Sequence, residues 1–470
     1  MSGGAASRGG TTAAAGRATG GTAGKLGAGG RGGGVGEGGA FGGATAAGEP
    51  GVGIGGAAAG EPSGGAAGEA GSGGGGEPAA PLAVDLGLGA FHSCAGFDDG
   101  SLRCWGSGGY IGSGSKLTIG DDETPDAIAA VQIGGRVTQL SAGWYHTCAL
   151  LDAGNVRCFG DGYSGLLGYG NTDDVGDDET PASAGDVSLG GRVVQVSAGP
   201  YHSCAVLDDG RVRCWGKNDH GQLGRADPAS VGDDEIPASV AVVDVGGIVK
   251  QVAAGYMHNC VLLDTGKVRC WGRNLGGELG YGNLEPIGDD ETPASAGDVD
   301  VGGTVVQIVA GMYRTCALLD NGKVRCWGNG QDGRLGYGNS QTIGDDETPA
   351  SAGDVDIGGA VKMLAAGEYA TCALLVVGSV RCWGSGTLGG LGYGNTNDIG
   401  DDETPASAGD IDVGGTVTHI DVGFLHACAT LEDGAVRCWG RGATGALGYG
   451  NLHDIGDDET PGAAGDVKLR

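Results

Sequence analysis

Short runs of alternating apolar and polar residues, separated by glycine-rich turns, fill the chain from residue 81 onwards. In one stretch the alternation predicts strands at Val193–Ala198, Ser203–Leu207 and Arg211–Trp215, with a further strand just before them at Asp186–Leu189. These segments do not show the 3.6-residue apolar spacing of an amphipathic helix. We therefore expect an all-β protein built from units of four short strands.

The unit recurs seven times at a nearly constant period. The clearest copy, residues 202–216, reads His-Ser-Cys-Ala-Val-Leu-Asp-Asp-Gly-Arg-Val-Arg-Cys-Trp-Gly. A fixed period of this kind is typical of repeat arrays in which one supersecondary unit is stacked on the next. Four strands per unit and seven units predict a seven-bladed β-propeller of four-stranded blades. The ring would close where a first strand, Val84–Leu88, meets the unit that ends with a fourth strand at Val467–Leu469.

Residues 1–80 differ from the repeats in composition. Gly, Ala, Ser and Glu dominate this segment, and Phe41 is its only aromatic residue. Such a composition cannot bury enough apolar surface to offset the loss of chain entropy on folding. We predict a disordered, glycine-rich tether over residues 1–80, followed by the propeller over residues 81–470. No stretch of the sequence is long and apolar enough to predict a transmembrane helix.

All 14 cysteines fall into seven pairs that share one spacing. In the third unit, a three-residue turn at residues 208–210 would place Cys204 opposite Cys214 at a non-hydrogen-bonded position, where side chains approach most closely. This geometry predicts a disulfide in every hairpin. Reduced cysteines that fill space are one alternative, and zinc sites are another, although Arg314 and Ala370 occupy the histidine position in two units. The predicted pairs are Cys94 with Cys104, Cys148 with Cys158, Cys204 with Cys214, Cys260 with Cys270, Cys316 with Cys326, Cys372 with Cys382, and Cys428 with Cys438.

Seven disulfides indicate an oxidising compartment. We therefore expect an extracellular or cell-envelope protein. No hydrophobic signal region follows Met1, which read literally indicates a cytoplasmic protein. The cysteine pattern carries more weight, so we expect that the true start lies upstream or that the start was misassigned.

Acidic residues dominate the charge of the repeats. The formal net charge is −31, and residues 1–80 contribute almost nothing to it. Such a surface repels nucleic acids, so we expect no nucleic-acid partner. A Gly-Asp-Asp-Glu motif recurs in each unit, and we expect these loops to be solvated or capped by their own backbone, with no cofactor. Calcium binding stays open as an alternative, because calcium prefers carboxylate and carbonyl oxygens.

Strand direction places two sets of loops on the same face of the predicted propeller. These are the short Gly-x-x-His loops between first and second strands and the long loops that follow the third strands. Every short loop carries an aromatic residue, and aromatic anchors are typical of protein interfaces. We predict that this ring binds a partner, while packing beneath the long loops is the alternative. The ring comprises Phe91, Trp144, Tyr145, Tyr201, Tyr256, Tyr313, Tyr369 and Phe424.

The repeated Ala-Gly-x-x-His-(Ser/Thr)-x-Ala-Leu-x-Asp-x-Gly-x-Val-x-x-Trp-Gly pattern, followed by Gly-x-Leu-Gly and Thr-Pro, resembles the repeats of the regulator of chromosome condensation family. The resemblance covers residues 81–470 and implies a seven-bladed propeller, here of a bacterial, cysteine-rich type. The eukaryotic founder of that family is a nuclear exchange factor for a small GTPase. A secreted bacterial relative inhibits β-lactamases through aromatic residues on one face. A disulfide-bridged, acidic chain suits the second role better than the first.

We expect a monomeric, non-enzymatic interaction propeller that binds an unknown protein or cell-surface ligand across its long-loop face. A guanine-nucleotide exchange activity inherited from the family is one alternative, and a calcium-dependent cell-surface ligand binder is another. The departures from the repeat are scattered and form no acid–base or nucleophile set, so no catalytic residues are expected. These departures are His220, Arg225–Val231, Arg314, Ala370 and Val376-Val377.

Overall fold

The computed structural model describes residues 81–470, which form seven antiparallel sheets of three strands each. We number the sheets as blades 1 to 7 in chain order. In every blade the second strand lies between the first and the third. The strands, β1 to β21, are Ala83–Leu88, His92–Phe97, Leu102–Gly106, Val137–Ala142, His146–Leu151, Val156–Gly160, Val193–Ala198, His202–Leu207, Val212–Gly216, Val249–Ala254, His258–Leu263, Val268–Gly272, Val305–Gly311, Arg314–Leu319, Val324–Gly328, Val361–Ala366, Ala370–Leu375, Val380–Gly384, Val417–Val422, His426–Leu431 and Val436–Gly440.

Helical turns are confined to the long loops. Proline occupies the first position of each one-turn α-helix, where its missing N–H leaves no hydrogen bond unmade. The α-helices, α1 to α5, are Pro181–Ala184, Pro293–Ala296, Pro349–Ala352, Pro405–Ala408 and Pro461–Ala464. The 3-10 turns are Gly108–Tyr110, Pro125–Ala127, Tyr163–Gly165, Pro237–Ser239, Gln331–Gly333 and Thr387–Gly389. No helix within residues 81–470 is long and apolar enough to cross a membrane.

The predicted hairpin between the second and third strands is confirmed. In blade 3, Leu207 N–H donates to Arg211 C=O at 2.8 Å, and Gly210 has φ of 81°, which only glycine adopts without strain. Counting outward from this turn pairs Cys204 with Cys214, as the alternation predicts. Their Cα atoms lie 4.0 Å apart, which is the close spacing of a non-hydrogen-bonded pair.

The prediction of four-stranded blades is not confirmed. The segment predicted as a strand at Asp186–Leu189 makes a single ladder hydrogen bond, from Val187 N–H to Val156 C=O at 2.9 Å. The equivalent segment of blade 3 shows the reason. Val243 N–H bonds to the third strand, but Val245 N–H turns back to Val243 C=O at 3.1 Å, which ends the pairing after one residue. Both valines are nevertheless buried, so the alternation in the sequence reflects burial and not an extended ladder.

Burial on both sides of each sheet makes the core. All six residues of each second strand are buried, because the neighbouring blades cover both faces of the sheet. Small residues occupy the middle of most of these strands, such as Ser203, Cys204 and Ala205 in blade 3. The next-to-last residue of each third strand is a fully buried aromatic residue, such as Trp215 or Phe159.

The blades form a closed ring. Each first strand contacts the first strand of the next blade, and β19 of blade 7 contacts β1 of blade 1. Two hydrogen bonds join the ends: Leu88 N–H donates to Asp421 Oδ2 at 2.9 Å, and Ser93 Oγ lies 2.9 Å from His426 Nε2. The predicted meeting of the first and last units is therefore observed. The predicted tether, residues 1–80, lies outside the described residues.

Candidate functional site

Seven disulfides fix the base of the loops on one face of the ring. Each joins the second and third strands of one blade, so the predicted pairing is confirmed in every unit. Cys204 lies two residues after the start of its strand, directly below the Gly-x-x-His loop, and its bridge therefore restrains the hairpin end that carries this loop. The bridges join Cys94 to Cys104, Cys148 to Cys158, Cys204 to Cys214, Cys260 to Cys270, Cys316 to Cys326, Cys372 to Cys382, and Cys428 to Cys438.

The short loops and the long loops lie on the same face, which we call the aromatic face. In blade 3, Lys217 at the start of the long loop donates its N–H to Tyr201 C=O at 2.8 Å, and Asp161 makes the same bond to Tyr145 in blade 2 at 2.9 Å. We call the opposite side, which carries the Asp-x-Gly turns, the turn face. Strand parity alone predicted this arrangement, and these contacts confirm it.

Nine aromatic residues form one connected group on the aromatic face, which we call the aromatic cluster. Trp144 lies at its centre, with its ring centroid 4.7 Å from Tyr201, 5.4 Å from Tyr145 and 5.9 Å from Tyr256. Trp144 is only 5% exposed, whereas the other eight rings are half-buried. The cluster comprises Phe91, Tyr110, Trp144, Tyr145, Tyr201, Tyr256, Tyr313, Tyr369 and Phe424.

The structure thus brings together all eight ring residues singled out in the sequence and adds Tyr110. Tyr110 comes from the long loop of blade 1 and contacts Phe91 and Tyr145, with centroid distances of 6.4 and 5.4 Å. Tyr110 lies outside the repeated short loop, so the repeat pattern does not single it out. The only signal in the sequence is that the Cys94 to Cys148 step is shorter than the later ones, which marks this long loop as different.

Cations from the long loops stack on three tyrosines of the cluster. The Arg273 guanidinium lies 4.0 Å from the Tyr313 ring centroid, and Lys217 Nζ lies 5.5 Å from that of Tyr201. Arg334 lies similarly over Tyr369, at 4.8 Å. Stacked cations hold aromatic rings in place and leave the rings' other surfaces available for contact.

Tyr313 has a strained backbone. Its φ of 56° lies in the left-handed region, which tyrosine rarely adopts and which costs about 1–3 kcal/mol. The other short-loop aromatics of the cluster do not share this conformation. Strain of this kind persists where the surroundings hold the residue, here the Arg273 guanidinium and the Tyr256 ring, whose centroid is 5.2 Å away.

A belt of buried side chains supports the short loops from below. His202 Nε2 lies 3.0 Å from Asn259 Oδ1 of the next blade, and His146 Nε2 lies 2.8 Å from Ser203 Oγ. Burial lowers the pKa of His146 to about 3 and that of His202 to about 4, so both rings are neutral at pH 7. These recurring histidines are part of the scaffold and are not exposed acid–base groups.

Blade 5 replaces the belt histidine with arginine. Arg314 is fully buried and donates to Thr371 Oγ1 and Gly367 C=O, each at 3.0 Å, and also to the carbonyls of Glu368 and Ala370. Burial lowers the pKa of Arg314 to about 9. The guanidinium therefore fixes the short loop of blade 6 through its backbone.

Glu368 is a buried carboxyl in that loop. Neither of its oxygens has a hydrogen-bond partner of good geometry. The nearby Tyr369 phenol lowers the pKa of this carboxyl and so opposes part of the effect of burial. Burial raises the pKa of Glu368 to about 9, so the group is protonated at pH 7. It therefore adds polarity, but no negative charge, beneath the rim of the aromatic cluster.

The Gly-Asp-Asp-Glu loops form seven acidic triads in which three carboxylate oxygens lie within 4.8 Å of one another. Within residues 81–470, one ion pair reaches a triad, between Lys116 Nζ and Asp177 Oδ2 at 2.7 Å. The expected backbone capping occurs in places, as where Asp290 N–H donates to Asp289 Oδ1 at 3.2 Å. Burial, followed by the neighbouring Asp290, raises the pKa of Glu291 to about 7.

Fold and site together define the class of protein: a closed seven-bladed propeller whose blades repeat one disulfide-bridged hairpin and whose loops gather aromatic residues on one face. The chain belongs to the RCC1-like domain family, whose model matches residues 177–468, and residues 137–166 match the regulator of chromosome condensation repeat. The expected family relationship is thereby confirmed.

Individual relatives are distant. The chain is 29% identical over 380 residues to the ultraviolet-B receptor UVR8 of Arabidopsis thaliana, covering 78% of this chain and 79% of that protein. It is also 29% identical over 363 residues to the human E3 ubiquitin-protein ligase HERC2, of which it covers 7%. Among solved structures, human WBSCR16 matches with a TM-score of 0.57 at 24% identity, covering 71% of this chain and 84% of that one. Yeast RCC1 (Prp20) bound to Kap60 gives 0.59 at 20% identity, covering 81% and 84%. These structural matches establish the fold only.

Proposed function

We propose that this protein is an exported, non-enzymatic propeller that binds a protein or cell-surface partner through the aromatic cluster. The observation that carries the proposal is the cluster itself: nine aromatic rings on one face, eight of them half-buried, resting on a rigid disulfide-bridged frame. Tyrosine and tryptophan supply large contact areas at a low cost in conformational entropy, and binding energy concentrates in such residues.

The proposed location rests on the disulfides. Each of the seven bridges closes a hairpin within one blade, and no free cysteine remains in residues 81–470. Such bridges persist in oxidising compartments and are rare in the cytosol. Relatives that bind other proteins, such as the yeast RCC1 solved with Kap60, support an interaction role for the fold.

The test compares variants on the two faces once cross-linking on the native protein has identified a partner. Tyr201→Ala and Tyr145→Ala should each weaken binding at least tenfold, the loss of about 1.4 kcal/mol or more that truncating an interface anchor causes. Asp209→Ala on the turn face should leave affinity unchanged and serves as the matched control. Equal affinity of all three variants and the wild type would refute the proposal.

Exchange-factor activity is the alternative that family membership favours. It requires a small GTPase partner, and nucleotide release from that GTPase in the presence of the propeller measures it. We expect no acceleration, because the nearly constant repeat leaves no inserted wedge for displacing a nucleotide. A several-fold acceleration that Tyr201→Ala abolishes would make the exchange factor the better account.

A further inference from the structure

Besides the arginine bonds at the outer edge of the ring and two serine bonds, three kinds of side-chain tie join neighbouring blades. The first lies on the inner strands. Gln195 Oε1 accepts from Val252 N–H at 2.8 Å, while Gln195 Nε2 donates to Val252 C=O at 2.9 Å. Three other seams repeat this tie through Gln139, Gln251 and Gln307. Asp85 and Asp421 instead accept from the next strand's N–H, at 2.6 and 2.9 Å.

The second tie is the buried belt that supports the short loops, and the third comes from the indoles of the third strands. The belt pairs are His92–Thr147, His146–Ser203, His202–Asn259, His258–Thr315, Arg314–Thr371 and His426–Ser93, with distances of 2.7 to 3.0 Å. In the third tie, an indole N–H donates to a long-loop carbonyl of the preceding blade. These pairs are Trp105–Ala446, Trp215–Leu166, Trp271–Gln222 and Trp327–Glu278, at 2.8 to 3.0 Å.

The seam between blades 6 and 7 has none of these ties. Met363 occupies the glutamine position, and Ala370 faces Ala427 where the belt needs a histidine and a hydroxyl. The Trp439 indole N–H is buried without an acceptor. In the described part of the chain, every other seam keeps at least two of the three ties.

Contacts at the two rims still cross this seam. Glu368 N–H donates to Gly423 C=O at 3.4 Å on the aromatic face, and Val417 N–H donates to Gly378 C=O at 2.9 Å on the turn face. The Tyr369 and Phe424 rings also meet across it, 5.6 Å apart. At the outer edge of the seam, Arg437 Nη1 donates to Val413 C=O at 2.6 Å and Gly462 N–H donates to Asp412 C=O at 2.9 Å, and bonds of this kind also occur at other seams. At the positions where the other seams carry the three ties, this seam has apolar packing, which separates without breaking a directional bond.

We propose that the propeller ring opens at the seam between blades 6 and 7. Local opening in native proteins begins where the fewest interactions must break. Here, separation breaks the hydrogen bonds of the rims and of the outer edge, which are of kinds that other seams also make, together with the apolar packing, but none of the three ties. It leaves the bridged hairpin of each blade intact. The opening needs no partner, so this inference goes beyond the proposed function and can be tested without it.

A single introduced thiol measures the opening. Ala429 and Ala205 occupy the same position of the second strand, two residues after Ala427 and Ser203, and both are fully buried. By the period-two alternation of a strand, each lies on the face that its blade turns toward the preceding one. Ala429→Cys therefore reports on the seam between blades 6 and 7. Ala205→Cys reports on the fully tied seam between blades 2 and 3 and is the matched control.

Labelling of the native, disulfide-bonded full chain with a thiol reagent should be at least tenfold faster for Ala429→Cys than for Ala205→Cys. Mass mapping of the seven native bridges in both variants excludes disulfide exchange. Equal labelling rates, or rates that both equal that of global unfolding, would overturn the proposal.

Transferring the belt tie provides the reciprocal test. Ala370→His with Ala427→Ser installs the missing pair and should slow labelling of Ala429→Cys at least tenfold. His146→Ala with Ser203→Ala removes a tie and should accelerate labelling of Ala205→Cys. This second pair keeps the proposal testable if the variant with Ala370→His and Ala427→Ser does not fold. Labelling of Ala205→Cys that does not respond to loss of its tie would show that the ties do not control opening.

Discussion

Replacement of Trp144 by alanine should destabilise the propeller, although the residue lies in a loop on the aromatic face. Its side chain is 5% exposed and forms the floor beneath Tyr145, Tyr201 and Tyr256, whose ring centroids lie 4.7 to 5.9 Å from its own. From the sequence, Trp144 is simply one anchor of the predicted binding ring. Its burial means that the residue holds its neighbours in place.

The size of the expected loss of stability follows from the burial and the ring contacts of Trp144. Tryptophan to alanine changes in protein cores cost about 3–5 kcal/mol. Because a loop can collapse partly into the space left behind, we expect the lower end, about 3 kcal/mol. A domain of this length has an unfolding entropy of about 0.8 kcal/mol/K, at roughly 2.1 cal/mol/K per residue, so the melting temperature should fall by about 4 °C.

Thermal unfolding of the oxidised protein, followed by far-ultraviolet circular dichroism, measures this change. Tyr163→Ala is the control, since Tyr163 lies in a long loop of the same face, is 58% exposed and lies outside the aromatic cluster. It should melt within 1 °C of the wild type, as surface substitutions usually change stability by less than about 0.5 kcal/mol. If Trp144→Ala also melts within about 1 °C of the wild type, Trp144 does not support the cluster.

Three further predictions concern the bridges, the triads and a buried carboxyl. Alkylation of denatured protein from its native source, before any reduction, should find no free thiols, whereas 14 free thiols would exclude the bridges and the oxidising location. Chelation of divalent ions should change the melting temperature by less than about 1 °C, and a shift of several degrees restored only by calcium would make the acidic triads calcium sites. Burial raises the pKa of Asp421 well above its usual value, so the folded state keeps a proton that the unfolded state releases above about pH 4, and stability falls as the pH rises from there. Asp421→Asn should therefore lose less melting temperature than the wild type between pH 5 and pH 8, and parallel curves would contradict this reasoning.

The local pattern of apolar, polar and turn residues predicts much of this fold, because strands and tight turns depend mainly on neighbouring residues. Three strands per blade follow from alternation, and the pairing of Cys204 with Cys214 follows from counting outward from the turn at Gly210. The fourth strand is not confirmed because alternation reports burial, which Val243 and Val245 satisfy, while the backbone turns away after one hydrogen bond.

The candidate site is harder to predict from the sequence, because its residues come from different blades and lie together only when the ring closes. Strand parity places the short loops on one face, but it cannot show that Trp144 lies beneath its neighbours or that Tyr110 joins them from a long loop. The buried state of Glu368 depends on how the Arg314 guanidinium holds the next blade's loop, which no repeat pattern encodes.

Hydroxyl-radical footprinting of the propeller, free and bound to its identified partner, tests the central claim most directly, because radical oxidation of tyrosine reports side-chain exposure. Oxidation of Tyr145, Tyr201 and Tyr369 should fall several-fold in the complex, whereas that of Tyr163, outside the cluster, should change little. Protection of the turn face, for example at the exposed Val376 and Val377, with the tyrosines of the cluster unchanged, would contradict the account.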